Sequence, residues 1–350
     1  MLDLRALFSL IESPQFRRTV GAVNVQREGM RDRRNSWGHL ARVFADSRAD
    51  PYCTLARAFA DTPPLAEEHE PFAVLHFVRL AALHGRAEDP WSGDVAAFRR
   101  DVAGLHPDID EAGRRGLVQY TDPQRMTDLL PGMQIAAGRY PGKPVRLVEL
   151  GACAGLLLVP EIYRISYPRA TWSPDGHAVE LVSELDVPAG LLNEPLDVVD
   201  RVGVDLAPVD PETGYDYLRA FTWPGDAERE PRLQAGLTAL AAAPPTVVAG
   251  DALDLLPDLL TGRVSKDAVT VVVDSAFATY LSGSALLRIG RLLDQMAGRG
   301  PLVLLSRTQS PANARGLPFG VTVTDLSSRW RWCYAATDAL SERVAWMDRR

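Results

Sequence analysis

Lysine is almost missing from this chain. Of its 38 basic residues only Lys143 and Lys266 are lysines, so nearly every positive charge is an arginine. A GC-rich genome is the simplest source of that bias, ahead of any phosphate-binding role. Cysteine is scarce too: Cys53, Cys153 and Cys333 stand far apart with no C-x-x-C pair, which argues against a zinc cluster and a disulfide framework. The histidines form neither H-x-x-x-H nor H-E-x-x-H, and no metal site is expected. No run of 18 apolar residues occurs, and Asp3 and Arg5 interrupt the short apolar stretch at the start. Neither a membrane span nor a signal peptide is therefore expected. A net charge of −7 argues against a nonspecific nucleic-acid binder. A reducing cytoplasm is the simplest address. Internal repeats and low-complexity segments are absent as well.

What is present is a soluble globular composition, 46% apolar and 24% charged, over 350 residues, enough for one large domain or two ordinary ones. Residues 1–140 read as helical. Leu40, Val43 and Phe44 share one helical face, as do Phe72, Leu75, His76 and Arg79, and prolines at 51, 71, 90, 107 and 123 mark helix starts. From 141 to 350 the texture changes. Short β-branched runs (Val145–Leu150, Val198–Val204, Thr246–Ala249, Ala268–Val273, Pro301–Leu305) alternate with helical patterns (Leu156–Ser166, Ala227–Ala242, Ala252–Leu260, Ser284–Gly298). Such alternation indicates an α/β fold with a mostly parallel sheet covered on both faces. A Pro-Asp-Gly turn at 174–176 predicts a hairpin inserted near 170–185, and alternation in Val321–Leu326, Trp330–Thr337 and Arg343–Met347 predicts an antiparallel C-terminal edge.

The segment VRLVELGACAGLLL at 145–158 carries the most functional information. It reads as a buried strand, an acid at Glu149, and turns at Gly151 and Gly155 opening an apolar helix. Such a turn lets a ligand approach the backbone closely and offers it free N–H groups. The spacing E-x-G-x-x-x-G favours S-adenosylmethionine (SAM) over a dinucleotide, because Leu156 stands where the third glycine of G-x-G-x-x-G would fall. An NAD oxidoreductase is accordingly the weaker reading.

Ligands of open α/β sheets bind at the C-terminal ends of the strands. There the first strand offers Glu149, Gly151, Ala152 and Gly155, the second Asp205 and Leu206, the third Asp251 and Ala252, and the fourth Asp274 and Ser275. In a SAM site Asp205 would accept the ribose hydroxyls and Asp251 the adenine amino group. Glu149 would order the glycine turn or meet the methionine ammonium through water, and Asp274 would border the transfer site. Each has a plainer alternative: Asp251 and Asp274 as helix N-caps, Asp205 as a turn residue before Pro208. Asp205 lies about 50 residues beyond the glycine turn, where a dinucleotide fold expects about 20, and the inserted hairpin would account for the excess. Cys153 reads as a small filler of the turn, with a nucleophile as the alternative. Asp274 is followed by Ser275, Ala276 and Phe277 rather than by Pro-Pro and an aromatic, so nothing supports methylation of a planar amide or base nitrogen.

Several longer stretches make the chain similar to a mainly actinobacterial family catalogued as domain of unknown function twenty-three thirty-two. They are VELGACAGLLL at 148–158, VGVDLAPVD at 202–210, GDALDLLPDLL at 250–260 and VQYTDPQRMTDLLPGM at 118–133, with Leu218–Ala220, Trp223–Pro224 and Ala278–Tyr280. That resemblance implies a helical N-terminal lid or substrate domain joined to a Rossmann-like fold of the class I SAM-dependent methyltransferase type. It implies no established reaction. The chain departs from the family where Cys153 replaces a usual Ser, Leu157 an Asn, and Asp274 a His, and where Gln119-Tyr120-Thr121-Asp122 replaces Gln-Thr-Asn-Glu. The segment before the first strand commonly folds over the cofactor in methyltransferases, which makes Gln119 and Arg125 candidate substrate residues and Tyr120, Asp122 and Asp274 candidate catalytic ones.

The expected function is a SAM-dependent transferase acting on a small molecule, most simply methyl transfer by in-line displacement, with Asp274 or Asp122 as general base. Aminopropyl transfer and ring closure of SAM itself would use the same pocket. A non-catalytic scaffold of methyltransferase type is the alternative from another class. Partners other than the small molecule are not expected, beyond a homodimer that the N-terminal helices leave open.

Overall fold

Proline stands at the first residue of the two helices that open the described chain, α1 (Pro51–Ala58) and α2 (Pro71–Leu83), where its missing N–H has no intrahelical acceptor to lose. The structure is a computed structural model that describes residues 51–59, 71–109, 119–222, 228–309, 317, 319–338, 341 and 343–347. The helical face expected at Leu40, Val43 and Phe44 lies outside these residues. Two units are formed, one drawn from Asp122–Glu212 and Ala235–Arg350, the other from Val20–Thr121 and Thr213–Gln234. The division therefore falls at 121/122 rather than near 140, and the helical unit takes a later segment that a single sequence boundary does not reveal.

In the helical unit α1, α2 and α3 (Val95–Gly104) bury Leu55, Phe59, Leu75, Val78, Phe98 and Val102 together. Asp94 caps α3, accepting from the N–H groups of Ala96 and Ala97. Arg79 holds the later segment in place. Its guanidinium is 1% exposed, donates to the Arg219 and Thr222 carbonyls at 3.0 and 3.1 Å, and pairs with Glu230. His76 is a core residue of the same unit, its Nδ1 2.8 Å from the Ala220 carbonyl oxygen, and burial holds its pKa down to about 4.

The other unit is an α/β layer structure with an eight-stranded sheet, and it begins with α4 (Met126–Gly138), buried along nearly all its length. Pro131 inside this helix removes the donor that the Thr127 carbonyl would otherwise meet, and the Tyr167 hydroxyl donates to that carbonyl instead at 2.9 Å. After α4 come β1 (Val145–Leu150), a small sheet of β2 (Tyr163–Ser166), β3 (Thr171–Trp172) and β4 (Val179–Val182), then β5 (Val198–Asp205). The helices α5 (Tyr215–Ala220) and α6 (Arg229–Ala242), across which the chain visits the other unit, lead to β6 (Thr246–Ala249). Next are α7 (Ala252–Thr261), β7 (Val269–Ser275), α8 (Gly283–Met296), β8 (Leu302–Gln309), β9 (Phe319–Asp325), β10 (Trp330–Thr337) and β11 (Val344–Trp346). The sheet order is β11-β10-β9-β8-β7-β1-β5-β6. β6, β5, β1, β7 and β8 run parallel, and β9, β10 and β11 continue as the antiparallel edge expected from their alternation. Strand order reverses direction between β1 and β7.

Two expectations are corrected here. The helix predicted over Leu156–Ser166 does not form. Two short 3-10 turns, Leu156–Leu158 and Pro160–Ile162, lead straight into β2. Pro160 is the cause, since within a helix its ring would collide with the Leu156 carbonyl four residues back. That carbonyl accepts from the buried Tyr163 hydroxyl at 2.8 Å. The segments flanking the Pro-Asp-Gly turn do not pair with each other as a hairpin either. β2 lies between them, antiparallel to β3 and parallel to β4. A sequence pattern marks strands but not their partners.

Alternation along the parallel strands assigns the sheet two faces. Leu147, Val271, Val273, Val303 and Leu305 pack with α4 and the small sheet. Val148, Leu150, Val202, Val204 and Val272 pack with α7 and α8.

Candidate functional site

The C-terminal ends of β5, β1, β7 and β8 carry polar residues where the strands' own periodicity puts them. Glu149 continues the series of Leu147, Ser275 that of Val273, Arg307 that of Leu305, and Asp205 follows Gly203 between Val202 and Val204. All four thus lie on the face covered by α4. The register agrees, because Glu149 stands opposite Gly203 and Val273, and Ser275 opposite Arg307. Facing them is the segment entering α4, where Asp122, Arg125 and Asp128 recur at spacings of three. Asp122 caps the 3-10 turn Pro123–Arg125, accepting from the Gln124 N–H at 2.9 Å. Arg125 donates to the Ser275 carbonyl at 3.2 Å. Together these residues form a polar seam beside the point where strand order reverses, the usual place for a ligand in such sheets.

Glu149 is 2% exposed, and its Oε2 has no hydrogen-bond partner. Burial pushes its pKa well above the usual carboxylate range, the Asp205 charge adds to that rise, and Arg125 opposes it. Ser275 Oγ is likewise buried without a partner.

The glycine turn is closed on itself. Gly151 and Gly155 adopt φ values of 70° and 85°, which a side chain rarely permits. A Cβ on Gly155 would come within 2.6 Å of Pro245 Cγ, and one on Gly151 within 3.1 Å of the Phe277 ring. The N–H groups of Gly151 and Ala152 donate to the Val204 carbonyl, that of Gly155 to the Ala152 carbonyl, and that of Cys153 to Asp205 Oδ2 at 2.8 Å. These four are therefore not the free donors expected, and no α-helix follows the turn to add more. Asp205 Oδ1 accepts from the Ala207 N–H at 2.9 Å, so each oxygen of this carboxylate already holds backbone, and its demonstrated task is to order the turn. Ala152 is buried and close-packed on Gly203, and Leu206 is half-buried in the turn after Asp205.

Asp251 and Asp274 reach the same edge on the other face. Asp251 is the N-cap of α7, accepting from the Leu253 N–H at 2.8 Å, and Ala252 packs into the core beneath that helix. Asp274 is 6% exposed and accepts from the Ala278 N–H at 3.1 Å. Burial lifts its pKa from 3.8 to about 6 against the pull of that N–H and the one from Phe277. A carboxyl raised on folding contributes stability fully below pH 3.8 and loses it as pH rises through 6. Asp274→Asn should therefore gain on the native protein by up to about 3 kcal/mol between pH 4 and pH 7. Urea titrations across that range check this, and a constant difference would contradict it.

Cys153 is buried with φ 54°, and burial, then Asp205, pushes its thiol well above 9. Burial and a raised thiol suit the small filler expected there rather than a nucleophile. Iodoacetamide at pH 8 should modify the exposed Cys333 and spare Cys153 until the protein is unfolded, as peptide mass mapping would report. Gln119 and Tyr120 are half-buried and fall in the helical unit, before the division at 121/122. Among the described residues no cluster of metal-ligating side chains occurs, and no helix is long and apolar enough to cross a membrane.

Sequence reasoning overlooked a fully buried charge pair. Arg307 and Asp128 are 1% and 0% exposed and pair at 3.1 Å. Ser341, with φ 60°, donates to Asp128 Oδ2 at 2.6 Å, and Arg307 Nη2 donates to the Asp338 carbonyl at 2.6 Å. An arginine two residues beyond the apolar run Leu302–Leu305 was the available signal. A groove of about 500 Å³ between α7 and α8, lined by Leu253, Pro257, Leu287 and Leu292, contains none of the predicted site residues.

The family described as an uncharacterized protein conserved in bacteria, DUF2332, matches residues 74–346. The chain belongs to that family. No curated protein matches it. The DUF2332 match takes in the segment before α4, the glycine turn and all four strand ends, so the whole polar seam falls within it.

Proposed function

We propose that this DUF2332 protein is a SAM-dependent transferase acting on a small molecule, with methyl transfer the simplest reaction and a Rossmann-like SAM-binding fold as its frame. The observation that carries the reading is the buried Glu149 carboxyl with an unpartnered oxygen at the reversal of strand order, beside Asp205 and Ser275. An unsatisfied acidic site there suits a cationic ligand. SAM supplies an activated carbon on a sulfonium cation. Asp205, which orders the turn by accepting from the N–H groups of Cys153 and Ala207, would be the acceptor for the ribose hydroxyls. Asp274, with its pKa near 6, is suited to take a proton from an acceptor at neutral pH. Asp251, already a cap, would meet the adenine end only through its remaining acceptor sites.

One observation favours the non-catalytic scaffold as a second reading: four N–H groups of the glycine turn are already bonded within the protein. Calorimetric titration with SAM and S-adenosylhomocysteine separates the two. The transferase reading expects micromolar binding of both, lost in an Asp205→Ala variant whose circular dichroism is native. Product mass then distinguishes S-adenosylhomocysteine, from methyl transfer, from methylthioadenosine, from aminopropyl transfer or ring closure. Absence of binding in folded protein stripped of carried-over cofactor would remove the SAM reading.

A further inference from the structure

Apolar side chains scattered singly over a surface are ordinary, but those on α8 are not single. Leu287 is 62% exposed and Leu286 beside it 39%. Gly283 and Gly290 stand one turn before and one turn after Leu287 on the same crest, and nothing lies within 4 Å of a Cβ built at either. Glycine weakens the middle of a helix relative to alanine, and no close neighbour in this chain calls for Gly290. The crest therefore offers a projecting leucine with room on both sides for another backbone. Beside it runs the groove of about 500 Å³ between α7 and α8, walled by Leu253, Pro257 and Leu292. Leu287 forms part of its lip and so cannot fill it. The charges around this face are of both signs. Arg288 and Arg291 are exposed on the groove side of α8, Asp294 on its crest, and Asp254 and Asp258 on α7. Arg288 pairs with Asp254 at 3.1 Å. A rim of one sign would select a partner of the opposite sign. A mixed rim, with a knob and a hollow side by side, is complementary to itself, which is the condition for a two-fold interface. α8 is about 21 Å long and the two helices together about 20 Å wide. Two such faces would bury on the order of 1,000 Å², the lower end for a specific interface.

We propose that the α7–α8 face docks on a second copy of this chain about a two-fold axis, with Leu287 of each copy seated in the groove of the other. α7 and α8 cover the sheet face opposite to α4, so the polar seam of each copy stays outside the interface. The interface is drawn from the α/β unit, not from the N-terminal helices, and it does not depend on the SAM reading.

Sedimentation velocity of the full chain from about 1 to about 200 µM is the test, because an interface of this size holds at micromolar concentration. A monomer–dimer equilibrium is expected in that range. Leu287→Asp should raise its Kd by about a hundredfold, since every dimer loses the side chain twice. The exposure of Leu287 makes this change harmless to the fold, and circular dichroism and the urea midpoint should stay native. Gly290→Arg, at a position where the chain itself leaves open space, should weaken the dimer by bulk and serves as the second variant. A photo-crosslinking phenylalanine analogue at position 287, in a mixture of unlabelled and nitrogen-15-labelled chains, should join α7 or α8 peptides of the other isotope. A chain that stays monomeric throughout, or a dimer that both variants leave intact, overturns the proposal. Sedimentation of that monomer with phosphatidylglycerol vesicles, lost in Leu287→Asp, would give the face to a lipid surface instead of a second copy.

Discussion

Asp128→Ala is expected to lose about 3–5 kcal/mol of unfolding free energy, because it strands the Arg307 guanidinium in a dry interior. Little of that charge can reach water, since Arg307 is 1% exposed and held between the sheet and the chain near Ser341. A loss of this size is a large part of the roughly 5–15 kcal/mol that holds an ordinary domain folded. Asp128→Leu combined with Arg307→Met should recover most of it, for two well-packed apolar side chains replace a pair whose desolvation offsets much of its attraction. Urea unfolding of the single and double variants measures both. A single-variant loss under about 1 kcal/mol would put the pair in the energetic class of a hydrated surface bridge.

The next largest effect is expected in the helical unit. Arg79→Ala removes the donor from two backbone carbonyls and one counter-charge from Glu230, which keeps Arg219 as a partner at 2.7 Å. It also removes the guanidinium stacked 3.3 Å from the Trp91 ring centroid. The expected cost is about 3 kcal/mol. Arg79→Lys should restore little, because an ammonium cannot reproduce the planar fork that reaches several acceptors. Amide hydrogen exchange gives the local readout: protection should fall over Tyr215–Ala220 and persist in β1 and β7. Uniform loss across both units would show that Arg79 supports more than its own unit.

The parallel strands and the acids at their ends were legible because burial on both faces leaves continuous apolar runs, and the break in each run marks the strand end. The α/β class and the antiparallel edge follow from the same texture. Proline positions gave the starts of α1 and α2 for a local reason that tertiary packing does not override. The region after Gly155 was misread because Leu156–Leu158 satisfies helical and extended patterns alike, while Pro160, the deciding residue, lies beyond the apolar run. At the site, the sequence located Glu149, Asp205, Asp251, Asp274 and Ser275 at one sheet edge. It could not divide them between two faces, nor reveal that Asp205 and Asp251 hold backbone N–H groups. Asp128 and Arg307 are far apart in sequence, and only the fold brings their charges together.

The order of strands in the large sheet bears on how the molecule is made. β1 is central, yet its neighbour β7 follows more than a hundred residues later, after the chain has passed through β5, the other unit and β6. Its β5 edge can be paired much sooner. During synthesis, therefore, the β7-facing edge of β1 waits with its backbone N–H and C=O groups unpaired, a template for pairing with another chain. Sheets closed by such distant contacts form slowly. The yield of this protein should then depend on chaperones and on slow translation more than its native stability suggests.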